Sequence, residues 1–168
     1  LREQGLHTVP EESPHAVTIP GAIDAFCHLS ETEGKLGLDA ILDPAIHYAD
    51  AGVPVAPRVA FDWANDDSHL QGSARRDYLF DGRPPQVGQM FRSPGQAEVL
   101  RRIARDGRDA FYTGEVAEDM LGALASRGGV HTADDFAQNC GHATTPVSGY
   151  YQGIELVEHP PNGQGATG

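Results

Sequence analysis

The chain has 168 residues, 39% of them hydrophobic, which is enough for one ordinary domain with a core and unlike the composition of a disordered segment. Against 12 Lys and Arg stand 24 Asp and Glu, a formal charge of -12 that excludes the basic surface needed to bind a nucleic-acid backbone. No apolar run reaches the length of a membrane span, and Leu1-Arg2-Glu3-Gln4-Gly5 lacks the basic start and apolar run of a signal peptide.

Residues 1–18 are polar and proline-punctuated and read as irregular, with a short extended piece at Ala16-Val17-Thr18-Ile19. Behind Pro20-Gly21, the spacing of Ala22, Ile23, Phe26, Cys27 and Leu29 predicts a helix with one buried face that ends near Gly34. A second helix carries Leu38, Ile41, Leu42, Ala45, Ile46 and Ala49, is expected to kink or restart at Pro44, and stops at Gly52. Periodicity fades over residues 53–89, where Asp81-Gly82 and Pro84-Pro85 mark turns and long excursions are expected; Tyr78-Leu79-Phe80 offers a short strand or helical turn.

Ser93-Pro94-Gly95-Gln96 is a helix start, with a capping serine, a proline at the first helical position and Gln96 placed for a capping box. That helix buries Ala97, Leu100, Ile103 and Ala104 and breaks at Gly107. Thr113 is expected to cap the next, with the stripe Val116, Ala117, Met120, Leu121 and Leu124 and its end at Gly128-Gly129. Thr132 opens a short helix whose Asp134 and Asp135 suit the positive end of the dipole. Pro146 to Tyr150, a turn through Tyr151-Gln152-Gly153, and Ile154 to Glu158 read as a β-hairpin. Residues 159–168 form a glycine-rich tail, and the order is helices first, then strands.

The residues offer little chemistry. Among eight histidines, His131 near Asp134 and Asp135 comes closest to a metal constellation, with His142 and His159 further on; no pair has the close spacing of a dedicated zinc site, and no metal is assigned. Cys27 and Cys140 lie too far apart to define a disulfide framework and both read as buried thiols. Neither a nucleophile elbow nor a CxxC motif is present, and adjacent Asp134 and Asp135 point in different directions on a helix. Asn162-Gly163-Gln164-Gly165-Ala166-Thr167-Gly168 has glycines but no lysine of a phosphate-binding loop. Catalytic, cofactor and metal residues are therefore all assigned as none, and no cofactor is expected.

Colinear segments nevertheless resemble the γ-glutamyltranspeptidase large subunit. Val17-Thr18-Ile19-Pro20-Gly21-Ala22 is similar to a V-P-G-x-V helix entry, and Gly34-Lys35-Leu36 with Leu42-Asp43-Pro44-Ala45-Ile46 to G-K-L and L-x-P-A-I. Gly107-Arg108-Asp109-Ala110-Phe111-Tyr112-Thr113-Gly114 resembles G-x-D-A-F-Y-x-G. Gly128-Gly129-Val130-His131-Thr132 with Asp134-Asp135-Phe136-Ala137 resembles G-G-x-x-T-x-x-D-L-A, and Pro146 to Val157 a P-V-S-x-x-Y-x-G-x-E-V hairpin.

The resemblance implies an α/β (α+β) fold, the mainly helical part of an N-terminal-nucleophile (Ntn) hydrolase αββα sandwich with a C-terminal β-hairpin. It implies a single partial domain over residues 1–168, the middle of a large subunit, in keeping with the absence of an initiator methionine. The partners would be the remaining large-subunit segments and the small catalytic subunit, and the substrate a γ-glutamyl amide such as glutathione; no nucleic acid or membrane span is involved. The nucleophile of such enzymes is a threonine that autoproteolysis exposes, its own α-amine acting as base. That threonine and its oxyanion hole would follow Gly168, the substrate-binding arginine would precede Leu1, and Thr167 is not assigned the role. Asn162-Gly163-Gln164 where paired serines are common, and Gly37 in place of proline, mark a divergent branch. Two alternatives stay open: a β-lactam side-chain acylase and a non-catalytic interaction module.

Overall fold

A computed structural model describes residues 5, 7–10 and 12–163. After a 3-10 turn at Pro14–Ala16, which Ser13 caps by accepting the His15 amide, residues 17–20 run without a strand. The expected extended piece is thus an unpaired strap. Helix α1 (Ala22–Thr32) follows. Its buried face is narrower than its apolar spacing predicts: Cys27 is buried and Ile23 partly so, whereas Phe26 and Leu29 are exposed.

Helix α2 (Leu38–Ala51) runs on through Pro44 as one helix, without the restart that was the alternative to a kink there. Ala40 and Pro44 are both exposed, so water can take the carbonyl that proline leaves unpaired. Gly52 ends the helix at a φ of 91°, and a Cβ there would lie 2.9 Å from the Phe91 carbonyl oxygen. Only glycine lets the chain pass that close. The next two residues form β1 (Val53–Pro54), antiparallel to β2 (Met90–Phe91) with Val53 opposite Phe91.

The intervening stretch is more helical than expected. It holds α3 (Pro57–Asp66), a 3-10 turn at Asp67–His69 and α4 (Ser73–Tyr78), in place of long excursions. Pro57 at the first helical position was a usable signal, but α3 has no buried residue to set up a clear stripe. What organises it is aromatic: Trp63 sits edge-on to Phe91 at 5.0 Å, and Tyr78 stacks on Phe91 at 6.0 Å. Leu79 is buried beside them in sequence, and Phe80 pairs with Arg83 across a tight turn.

Helix α5 (Pro94–Asp106) packs against α2 and buries Ala97 and Ile103 on the expected face. Its start is as expected, but Ser93, with φ of -136° and ψ of 73°, makes no side-chain cap. Short α6 (Asp109–Tyr112) leads into α7 (Gly114–Ala125). Thr113 does not cap α7 either, because its hydroxyl donates back to the Asp109 carbonyl at 2.7 Å. Thr132, by contrast, forms a full capping box with Asp135 at the head of α8 (Ala133–Gln138).

The core gathers where these helices meet. Tyr112, Ala117 and Phe136 are buried together, with Ile19, Ile23, Phe111, Met120, Leu121 and Leu124 packed around them. Beyond α8, β3 (Val147–Tyr151) and β4 (Ile154–Glu158) form the expected hairpin, with Val147 opposite Glu158 and Tyr151 opposite Ile154. Gln152 and Gly153 both take positive φ, 48° and 79°, the pattern of a two-residue turn whose twist matches the strands. Every residue of both strands is exposed.

Truncating Phe136 to alanine removes the buried ring on which α7 and α8 converge, and should cost about 3–5 kcal/mol. Denaturant unfolding followed by Trp63, the single tryptophan of the chain, checks this; a loss below about 1 kcal/mol would show that the cluster does not hold the helices together.

Candidate functional site

The most strongly interlocked polar group joins three segments distant in sequence. Asp24 stands in the first turn of α1, and Arg108 begins α6 just after Gly107, whose φ of 66° turns the chain out of α5. Arg108 Nε donates to Asp24 Oδ1 at 2.6 Å. Its Nη2 donates to the carbonyls of Ala137, at 3.2 Å, and Asn139. The guanidinium lies 4.5 Å above the Tyr112 ring, a cation–π contact on a buried aromatic.

Asp24 is shared further. Its Oδ2 accepts the Gly141 amide at 2.7 Å, so the carboxylate and the guanidinium grip the backbone on both sides of Cys140. The Tyr112 hydroxyl donates to the Pro20 carbonyl at 2.5 Å and accepts the Asp24 amide at 3.2 Å. The strap before α1, the helix itself, α6 and the segment after α8 thereby become one unit. The Gly141 amide holds the Asp24 carboxyl below the usual aspartate range; burial opposes this, and Arg108 reinforces it.

Above the pair opens a cleft of about 690 Å³, with Ala25, His28 and Leu29 of α1 on one side and Cys140, His142 and Ala143 on the other. Cys140 is exposed here, which corrects the expectation that both cysteines are buried. Its neighbours' backbone groups are drawn inward by Asp24 and Arg108, which leaves the thiol outside. Cys27 is buried as expected, and burial pushes its thiol pKa up. Among the described residues no hydrogen bond joins Cys140 to His28 or His142, so the cleft holds no thiol primed by a base.

The other residues weighed for chemistry are dispersed. His131 Nε2 lies 2.8 Å from the Val17 carbonyl and ties down the strap, while Nδ1 is buried without a partner. Asp135 is spent on Thr132, whose hydroxyl donates to it and holds its carboxyl below the usual range. His159 Nδ1 lies 2.8 Å from the Pro160 carbonyl. No three His, Cys, Asp or Glu side chains among the described residues are placed to hold a metal ion. Gln164, Gly165 and Thr167 lie outside the described residues. Sequence reasoning singled out neither Asp24 nor the role of Arg108; the Gly107-to-Gly114 motif was the available signal for one half of the pair.

The fold as a whole has solved counterparts. It superposes on the γ-glutamyltranspeptidase of Helicobacter pylori with a TM-score of 0.91 and 26% identity, covering 98% of this chain and 49% of that one. On the cephalosporin acylase of Bacillus halodurans the TM-score is 0.88 at 35% identity, covering 98% of this chain and 32% of that one. The architecture is therefore the mainly helical part of an Ntn-hydrolase fold. The family model for gamma-glutamyltranspeptidase matches residues 1–168, and the chain belongs to that family. With the glutathione hydrolase-like YwrD proenzyme of Bacillus subtilis it shares 34% identity over 158 residues, 91% of this chain and 30% of that protein. The chain thus spans less than a third of the length of that relative. Among the described residues no helix is long and apolar enough to cross a membrane.

The lowered pKa of Asp24 means that its stabilising effect is complete at pH values above the ordinary aspartate range and is lost as pH falls through its depressed folded value. Asp24→Asn should lower the midpoint of thermal unfolding at pH 7, by an amount corresponding to about 2 kcal/mol for a charged hydrogen-bonded group. The gap from wild type should narrow as pH is lowered towards 3. A gap that is constant with pH would refute the charged state of Asp24 as its source.

Proposed function

We propose that the chain is a segment of the large subunit of an amide-cleaving acyl transferase, a partial domain whose catalytic threonine lies in other polypeptide. The observation that carries this reading is the family match over the whole chain, combined with coverage of only 30% of a proenzyme relative. The surface fits the assignment. The hairpin β3–β4 is exposed on both faces, with Tyr150, Tyr151, Ile154, Leu156 and Val157 open to solvent, and a two-stranded hairpin is marginal without further packing. In this reading the rest of the large subunit and the small subunit cover it.

The chemistry would be nucleophilic. The threonine hydroxyl attacks the amide carbonyl, its α-amine takes the proton, the C–N bond breaks as the leaving amine is protonated, and water or an acceptor amine then resolves the acyl-enzyme. A γ-glutamyl amide such as glutathione is the substrate class; this chain supplies no nucleophile, and its clamped helices shape and support the cleft built by its neighbours. A β-lactam side-chain acylase is the second reading, favoured by the 35% identity to the Bacillus halodurans enzyme.

The parent protein should separate into two chains on a denaturing gel, the smaller beginning with threonine, and should release the chromophore from a γ-glutamyl anilide. Threonine-to-alanine substitution at that junction should leave an uncut, inactive precursor. Turnover of a glutaryl amide without turnover of the γ-glutamyl anilide would transfer the assignment to the acylase reading. An uncut protein active on neither would leave only a non-catalytic module.

A further inference from the structure

Among the described residues, nine other arginines are engaged: Arg58, Arg76, Arg101, Arg102, Arg105 and Arg108 with carboxylates, Arg75 and Arg92 with carbonyl oxygens, and Arg127 with Gln71, so that Arg83 alone has no side-chain partner. In a chain of formal charge -12, a guanidinium left without any acceptor is the exception among the described residues. Its backbone is not loose. Phe80 and Arg83 exchange amide-to-carbonyl hydrogen bonds of 2.8 and 3.0 Å around Asp81-Gly82, both of which take positive φ. Arg83 is thus displayed from a two-residue turn, beside Phe80 and on the same side of the ladder.

The turn forms one wall of an open cleft of about 660 Å³. Gln86 and Gln89 line the same cleft. Gln89 Oε1 accepts the Gln86 amide at 3.0 Å, which fixes the orientation of the Gln89 side chain and leaves its NH₂ as a free donor. Pro84, Val87 and the Phe80 ring supply apolar surface, with Val87 60% exposed. A guanidinium fork and primary amide donors over apolar walls form a donor set matched to a carboxylate, which accepts two parallel hydrogen bonds from arginine.

The geometry points to a carboxylate-binding site at Arg83, Gln86 and Gln89, taking a carboxylate carried on a small apolar body. This site is separate from the Asp24–Arg108 cleft, and it does not depend on the acyl-transfer reading. The carboxylate has two sources of the same chemistry: a free solute, or an acidic side chain of polypeptide that packs on this face in the parent protein. Asp81 lines the same cleft and disfavours dianions, so a monocarboxylate is the better fit.

The test uses the full-length parent protein, with N-acetyl-leucine as probe and N-acetyl-leucinamide as its uncharged counterpart, by titration calorimetry and thermal unfolding. If the site takes a free carboxylate, N-acetyl-leucine binds and the amide does not, and Arg83→Gln weakens binding by about tenfold or more. If an acidic side chain occupies it, the probe does not bind and Arg83→Gln lowers the unfolding midpoint, while Arg83→Lys, which keeps the charge but not the fork, restores part of it. Either result supports the site. Equal binding of acid and amide, or an Arg83→Gln protein unchanged in both stability and probe binding, overturns it.

Discussion

The half-buried pair of Asp24 and Arg108 is the constraint on which the rest of the chain depends. Side-chain exposures of 12% and 26% leave neither charge well solvated, so each needs the other and the backbone groups around it. The arrangement satisfies that need: Asp24 accepts from Arg108 and Gly141, and Arg108 donates to two carbonyls and covers Tyr112. Removing either partner leaves an uncompensated charge against the buried Tyr112 ring. Four chain segments then lose their common fastening together, because the same network ties the strap before α1, α1, α6 and the stretch after α8.

What surrounds this fastening is thin. Among the described residues the largest fully buried side chains are Tyr112 and Phe136, while Phe26, Leu36, Tyr48, Phe61 and the hairpin lie open. Exposed apolar side chains in such number suit a surface that packs against further polypeptide. The distribution fits a family member that spans a minority of its relatives' length. Two regions differ in kind: the Asp24–Arg108 cleft is apolar-walled over a satisfied ion pair, whereas the Arg83 cleft presents unsatisfied donors.

Local signals read well and remote ones did not. The Thr132–Asp135 capping box closes within four consecutive residues, so the sequence alone locates it, and the Gln152-Gly153 turn is equally self-contained. The stripes on α5 and α7 were legible because 3.6-residue spacing is a property of the segment itself. Ser93 and Thr113 show the limit of that logic, since a capping residue type is not a capping geometry when a nearer acceptor, such as the Asp109 carbonyl, competes. Helix α3 escaped because its anchor is Trp63 on Phe91, a contact from outside the segment. Exposed Cys140 and the role of Asp24 escaped for the same reason: both are set by a guanidinium that arrives from another part of the chain. The family resemblance, by contrast, was legible in full, because it rests on the order of short motifs and not on any tertiary contact.

The spacing of those contacts carries a consequence for biosynthesis. Tyr112 reaches back 92 residues to Pro20, and Gly141 reaches back 117 to Asp24. On the ribosome, α1 therefore emerges long before the groups that fix it, and must wait, with Ile23 and Cys27 uncovered, until nearly the whole segment has been made. A chaperone meeting the nascent chain during that interval would find its apolar target at the front of the segment rather than at its end.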